Sequence, residues 1–266
     1  MKKKVIIIGS KGAVARQLIK TFKEKKFKNF FSLDRKKFNI IKKPNNLNKF
    51  IKRYKPTHII NCLAITGLVK CEKNIIEAYE INSFFPLKLA EMTSNKKIQL
   101  IHFSTDAVFD GLKKKKIYCE KDKPNPKSIY GKSKYLADQL INSYKNVLVI
   151  RLPILFGPTN KSQIIGKLMQ NLLFNRKTYA STDIYSTPVY TPNLASFILS
   201  EIILRGRFKN KKLIHFTSNK YLSIHGLIYK ISKNLKKSHL ISKVKDSYFK
   251  SKVKKPKNLG LRSVLK

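Results

Sequence analysis

Tyr130 and Lys134 stand four positions apart in Tyr130-Gly131-Lys132-Ser133-Lys134. Tyr130, Lys134, Ala137 and Ile141 recur at one helical face, so a helix here sets a phenol and an amine one turn apart. An ammonium beside a phenol favours the phenolate and lowers the phenol pKa. A tyrosine tuned in this way gives or takes a proton more readily near neutral pH. Upstream, Ser104-Thr105-Asp106-Ala107-Val108-Phe109-Asp110-Gly111 follows an apolar run, 98–103, that reads as a buried strand. The Thr105 hydroxyl, at the strand end, can hydrogen-bond the same substrate oxygen as Tyr130. With a hydride carrier alongside, this set reduces a carbonyl or oxidises an alcohol. Twelve tyrosines in a lysine-rich chain also produce the spacing by chance, so its weight comes from the rest of the sequence.

The N-terminal stretch supplies a place for the hydride carrier. Val5-Ile6-Ile7-Ile8 is an unbroken β-branched run, as expected of a central parallel strand. It ends at Gly9-Ser10-Lys11-Gly12-Ala13-Val14-Ala15, after which Val14, Leu18, Ile19 and Phe22 mark a helix. A second strand, 30–33, stops at Asp34. A glycine turn between a strand and a helix, with an acid closing the next strand, is the opening of a dinucleotide-binding fold. Gly9 permits the tight turn, Gly12 lets the backbone approach a pyrophosphate, and the helix start meets its charge. Ala15 replaces the third glycine. Asp34 can accept hydrogen bonds from a ribose diol, which points to NAD, whereas Arg35, Lys36 and Lys37 suit a 2′-phosphate, which points to NADP. Both choices stay open, and Asp34 also reads as a plain turn residue.

Further elements follow in alternation. Residues 39–49 form a polar connector, and Leu47 to Tyr54 suggest a helix broken by Pro56. Residues 57–62 make a third strand leading into Leu63-Ala64-Ile65-Thr66, with Asn61 and Ala64 at strand-end depth beside a dinucleotide. A long helix is expected over 72–92, bent at Pro86. His102 reads as a packed strand residue. A fifth strand spans 147–151, and helices are expected over 162–175, 193–204 and 222–235. Strands are expected at 213–216 and 239–245, and the stretch 256–266 reads as loop. Strands alternating with helices predict an α/β fold, a Rossmann-type parallel sheet with helices on both faces and a smaller C-terminal substrate-binding lobe. Residues 1–157 would mainly hold the dinucleotide and 158–266 mainly the substrate.

Composition sets the bounds. The chain has 266 residues, 58 Lys+Arg against 14 Asp+Glu, and a formal net charge of +44. Such an excess raises nucleic-acid binding as a reading. The bases are spread along the whole length, lysine dominates, and abundant asparagine and isoleucine indicate AT-rich codons. No nucleic-acid-binding motif is visible, so no specific nucleic-acid partner is expected. The charge should still steer anionic dinucleotides and nucleotide-sugars inward. The run 113–116 reads as a solvated loop. Cys62, Cys71 and Cys119 fit neither a disulfide framework nor a metal site, and a reducing, cytoplasmic setting without metal is expected. The Val5–Ile8 run is too short for a signal peptide or membrane span.

These motifs resemble the dTDP-4-dehydrorhamnose reductase family of the extended short-chain dehydrogenase/reductase superfamily. The resemblance runs through residues 61–72, Asn82, 104–111, 130–134, 188–195 and 256–259. It implies NADPH or NADH as cofactor and a nucleotide-linked 4-keto-6-deoxy sugar as substrate, in surface polysaccharide synthesis, with a homodimer possible. It makes Thr105, Tyr130 and Lys134 the catalytic trio. Tyr130 protonates the keto oxygen, Thr105 positions it, Lys134 holds the nicotinamide ribose and depresses the Tyr130 pKa, and Asp106 orients sugar hydroxyls. The dinucleotide falls to Gly9, Lys11, Gly12, Ala13, Val14, Asp34, Arg35, Cys62, Leu63, Ala64 and Thr66, with Tyr130 and Lys134. Departures cluster around substrate recognition: Ala137-Asp138 for Gly-Glu, Leu152 to Gly157 for a tryptophan-containing stretch, and Lys255 for an arginine. A sugar-nucleotide epimerase uses the same residues reversibly. A non-catalytic regulatory subunit, like that of methionine adenosyltransferase, keeps the same fold.

Overall fold

β1 (Val5–Ile8) has every residue buried, because its two faces meet two different layers. Val5 and Ile7 join one apolar cluster, Ile6 and Ile8 the other. This is the two-residue period of a strand covered on both sides. The computed structural model describes residues 2–34, 44–94, 96–112, 117–159, 163–250, 253 and 256–265. Arg35, Lys36, Lys37, Lys255, the run 113–116 and part of the 39–49 connector lie outside them.

β1 pairs in parallel with β2 (Phe30–Leu33) on one side and β3 (His58–Asn61) on the other. β4 (Gln99–Thr105), β5 (Val147–Leu152) and β10 (Leu213–His215) extend the sheet beyond β3, in the order β10-β5-β4-β3-β1-β2. The chain leaves β1 for β2 on one side and returns to β3 on the other. That reversal opens a crevice at the strand carboxyl ends, where open α/β sheets bind ligands.

One face is covered by α1 (Ala13–Glu24) and by α8 (Thr191–Phe197), which continues as a π-helical segment, Ile198–Leu204. Leu18, Phe22, Leu194, Ile198 and Ile202 pack there against Val5, Ile7, Ile60, Ile101 and Ile150. The other face carries α2 (Pro44–Tyr54), α5 (Phe85–Ser94) and α6 (Ile129–Ile141). Leu47, Ile51, Leu89, Ala90 and Ile141 pack there against Ile6, Ile8, Ile59, Leu100 and Val149.

The helix expected over 72–92 is interrupted. α3 (Leu68–Lys73) and α4 (Ile75–Tyr79) precede a π-helical turn, Glu80–Phe84, which leads into α5. Pro86 has no N–H to give its own helix, and the wider turn comes just before it. The π turn also aims Asn82 inward. Its Oδ1 accepts the Ile65 N–H at 2.9 Å, and its Nδ2 donates to the Ile65 carbonyl at 3.0 Å and to Ser133 Oγ at 3.1 Å. One side chain thus ties the loop after β3 to α6.

The remaining elements build a smaller lobe over α7 (Ile164–Leu173) and α9 (Ile224–Asn234). Ile165, Leu172, Ala180, Leu227 and Ile228 share its core. β7 (Thr178–Ser181) pairs in parallel with β12 (Ile241–Val244), which meets the expected strand at 239–245. The stretch 256–266 is more than loop. β13 (Asn258–Leu259) runs parallel to β8 (Tyr185–Ser186), which also pairs with β11 (Leu222–Ser223), while β6 (Leu155–Phe156) pairs with β9 (Val189–Tyr190) and Leu261 bridges to Tyr118. A two-residue strand leaves no periodic trace in a sequence.

Candidate active site and dinucleotide crevice

Gly9 is at φ 85°, and a Cβ there would stand 2.9 Å from the Leu63 nitrogen. Only glycine accepts both conditions, so the loop after β1 and the loop after β3 come into direct contact. The turn is closed by Gly12 N–H donating to the Gly9 carbonyl at 2.9 Å. α1 then begins at Ala13 with no side-chain cap and no acid in its first turn. Its first N–H groups and positive dipole end are left for an anion.

Beside this turn lies a cavity of about 660 Å³ lined by Lys11, Gly12, Ala13, Val14, Arg16, Cys62, Ala64, Thr66, Pro158, Thr159 and Gln163. Seven of the residues read from the sequence meet here, drawn from the loops after β1 and β3 and from the first turn of α1. Gly9 and Leu63 form the contact beneath them. The size and the uncapped helix start fit a dinucleotide's pyrophosphate. Arg16, Pro158, Thr159 and Gln163 escaped the sequence reading. Arg16 Nη2 donates to the Thr159 carbonyl at 2.8 Å, and Thr159 Oγ1 donates to the Ala13 carbonyl at 3.0 Å. Partners 143 and 146 positions apart share no local pattern.

Asp34 follows β2 at the edge of the turn, where its Oδ2 pairs with Lys11 Nζ at 3.1 Å. Lys11 is otherwise exposed to solvent, and Asp34 is mostly buried. Arg35 lies outside the described residues.

Thr105 ends β4, and its Oγ1 accepts the Ala107 N–H at 3.2 Å, capping a short 3-10 turn, Asp106–Val108. Tyr130 enters from α6. Ser128 Oγ accepts the Gly131 N–H at 3.1 Å, and Glu72 Oε1 accepts the Ile129 N–H at 2.9 Å, so two of the helix's unpaired donors are satisfied. Thr105 and Asp106 stand close enough to Tyr130 to act on its phenol. Thr105 also donates to Asp106 Oδ1 at 3.1 Å. The other Asp106 oxygen is buried without a partner among the described residues, and burial lifts this carboxyl to about 7.

The expected effect of Lys134 on Tyr130 is absent. Burial raises the phenol above its ordinary value, and Thr105 opposes that rise while Asp106 and Cys71 add to it. Lys134 instead turns to β4, where its Nζ lies 3.0 Å from His102 Nε2. One turn of helix brings the two residues to the same side, but the amine finds a nearer partner on the sheet. His102 is the packed strand residue expected, fully buried, and it also contacts Asn61 Nδ2 at 3.1 Å.

Asp138 accepts from Ser104 Oγ and Arg151 Nε, both at 3.0 Å. This buried pair fixes α6 against β4 and β5. Burial raises the Asp138 carboxyl, with the Arg151 charge opposing it. Among the described residues no cluster of His, Cys, Asp or Glu is built to hold a metal, and no helix is long and apolar enough to cross a membrane.

A parallel sheet covered on both faces, with a glycine turn closing on a crevice at its strand ends, is the fold of the extended short-chain dehydrogenase/reductase superfamily. The family model described as RmlD substrate binding domain matches residues 3–264, and the chain belongs to that family of NAD(P)-linked oxidoreductases. A dTDP-4-dehydrorhamnose reductase of Aggregatibacter actinomycetemcomitans is 29% identical over 83% of this chain and 75% of its own. Methionine adenosyltransferase 2 subunit beta of Danio rerio is 26% identical over 90% of this chain and 76% of its own. The crystal structure of a dTDP-4-dehydrorhamnose reductase from Clostridium acetobutylicum superposes with a TM-score of 0.86 at 27% identity. It covers 97% of this chain and 90% of that one.

Proposed function

We propose that this protein reduces the keto group of a nucleotide-linked 4-keto-6-deoxy sugar, with NADPH or NADH, in surface polysaccharide synthesis. The observation that carries the reading is the meeting of Thr105, Asp106 and Tyr130 at the carboxyl end of β4. That end belongs to the same sheet whose β1 and β3 ends form the glycine-lined crevice.

In this reading Gly9, Gly12, Ala13 and Val14 admit the pyrophosphate, and Lys11, Cys62, Leu63, Ala64 and Thr66 border the dinucleotide. Asp34, with Arg35 following it, meets the outer ribose. When bound, the reduced nicotinamide supplies the hydride. Tyr130 gives the hydroxyl proton to the sugar oxygen. Its raised pKa keeps the phenol protonated at rest, which suits a donor in the direction of reduction. Thr105 orients the oxygen, and Asp106 offers its unpaired carboxyl oxygen to a sugar hydroxyl. Lys134 lies one turn along α6 to hold the nicotinamide ribose. Residues 1–157 mainly serve the dinucleotide and 158–266 mainly the sugar.

The test is oxidation of NADPH and NADH in the presence of freshly generated dTDP-4-keto-6-deoxy sugar, with products identified by mass and NMR. Tyr130→Phe should keep dinucleotide binding and lose at least about a hundredfold in turnover. Equal turnover in the variant would remove Tyr130 from the chemistry. A second reading, a subunit without turnover of its own, rests on the similarity to methionine adenosyltransferase 2 subunit beta over nine-tenths of the chain. Tight dinucleotide binding with no turnover of any keto sugar would favour it.

A further inference from the structure

Asn61 on β3, His102 on β4 and Lys134 on α6 form a row across the sheet that is 0–2% exposed. Asn61 Nδ2 lies 3.1 Å from His102 Nδ1, and His102 Nε2 lies 3.0 Å from Lys134 Nζ. The direction of the row is set at its first member. Asn61 Oδ1 accepts the Leu63 N–H at 3.1 Å. Turning that amide over would set N–H against N–H, so Asn61 presents a donor to His102 Nδ1. Nδ1 must then hold a lone pair, and the imidazole carries its single proton on Nε2. That proton points at Lys134. An ammonium has three donors and no lone pair, whereas an amine can accept.

We propose that Asn61 and His102 are positioning residues that keep Lys134 as a neutral amine in the dinucleotide-free protein, so that dinucleotide binding takes up a proton. The second half rests on the reading of Lys134 as the ribose-holding residue.

Burial alone brings Lys134 down to about 8, against the pull of Asp138. Accepting Nε2–H, which only the amine can do, favours the neutral form further. His102 lies well below its ordinary value, chiefly through burial, so it does not become the cation in the row. Among the other charged and titratable groups around α6, Asp138 is the acid that acts on Lys134, and the rest are committed elsewhere. Asp138 is matched by Arg151 of β5, Glu72 of α3 caps Ile129, and Asp106 and Cys71 act on Tyr130. The ammonium requires the reverse arrangement. It donates to Nε2, Nδ1 carries the proton, and the Asn61 amide turns over and releases the Leu63 N–H beside Gly9. Phosphate charge and ribose oxygens arriving in the crevice favour that state.

The test reads Lys134 directly, by carbon NMR of protein labelled at the lysine ε-carbons, without dinucleotide. The Lys134 resonance is the one missing from Lys134→Met. At about pH 7.5, where ordinary lysines are fully charged, it should show the amine shift. In Asn61→Asp the carboxylate accepts from both Leu63 N–H and His102 Nδ1–H, and the resonance should move to the ammonium shift. In His102→Gln, whose amide can turn either atom to Lys134, the lysine should titrate closer to its ordinary range. An ammonium shift in the wild type, or an identical shift in wild type and Asn61→Asp, overturns the proposal. Calorimetric titration with NADH in buffers of different ionisation enthalpy should then show proton uptake by the wild type and little by Asn61→Asp. An amine shift with no NADH or NADPH binding would sink the cofactor reading and leave the resting state of Lys134 standing. Binding without proton uptake would sink the linkage.

Discussion

Gly131 packs so closely on Ala107 that a Cβ at 131 would stand 2.2 Å from the Ala107 carbonyl oxygen. This contact sets the distance between the start of α6 and the turn after β4, and hence between Tyr130 and the pair Thr105–Asp106. Gly131→Ala must push the helix off the turn. The overlap should destabilise the protein by about 1–3 kcal/mol, measured by urea unfolding. Turnover of a keto sugar should fall further than dinucleotide affinity does, because the crevice at β1 and β3 is untouched. Equal losses in both would mean that the contact holds the fold and not the site.

The pairing of Asp34 with Lys11 leads to a second expectation. Asp34→Ala removes the acid that closes β2 and should weaken NADH binding more than NADPH binding, because a diol loses its acceptor and a 2′-phosphate does not. Fluorescence titration with both dinucleotides checks it. Unchanged selectivity would take Asp34 out of ribose recognition.

Asp106 makes stability depend on pH in a defined direction. Its carboxyl is lifted to about 7 in the folded protein from the ordinary value of 3.8. Folding therefore favours the protonated form. The contribution is fully present below about 4 and is lost as pH rises towards 7, with a slope of up to about 1.4 kcal/mol per pH unit. Asp106→Asn removes that slope. The variant's stability relative to wild type should climb from about pH 4 to about pH 7 and then level off, as read from unfolding midpoints. A flat difference would show that Asp106 is ionised throughout.

The Arg151–Asp138 pair, 3.0 Å apart and 4% and 7% exposed, offers a third unfolding experiment. Arg151→Met leaves a buried carboxylate without its cation and should cost about 3–5 kcal/mol. Replacing both residues by apolar ones of similar volume should recover much of that loss.

The parts of this fold that are local in the chain were legible in the sequence. β1 with Gly9 and Gly12, the strand end at Thr105, and the Tyr130 helix each announce themselves through a period or a glycine. Seven crevice residues were found in this way because they sit on two short loops and the helix start that follows the first. Arg16 and Thr159 were missed because their contact spans 143 positions. The Lys134 partner was misjudged for a related reason: helical spacing says that Tyr130 and Lys134 share a side, but not that His102 lies closer. The π turn at 80–84 arises where Pro86 meets the needs of Asn82, a compromise that no single residue type signals.

β10 pairs with β5 across the long connection of residues 153–212. In kinetic terms the sheet closes late, since long loops must be ordered before that parallel pairing is rewarded. Until then β5 presents an open strand edge, which is a template for joining another chain. Refolding yield should therefore fall with protein concentration, and the aggregates should grow from the β5 edge.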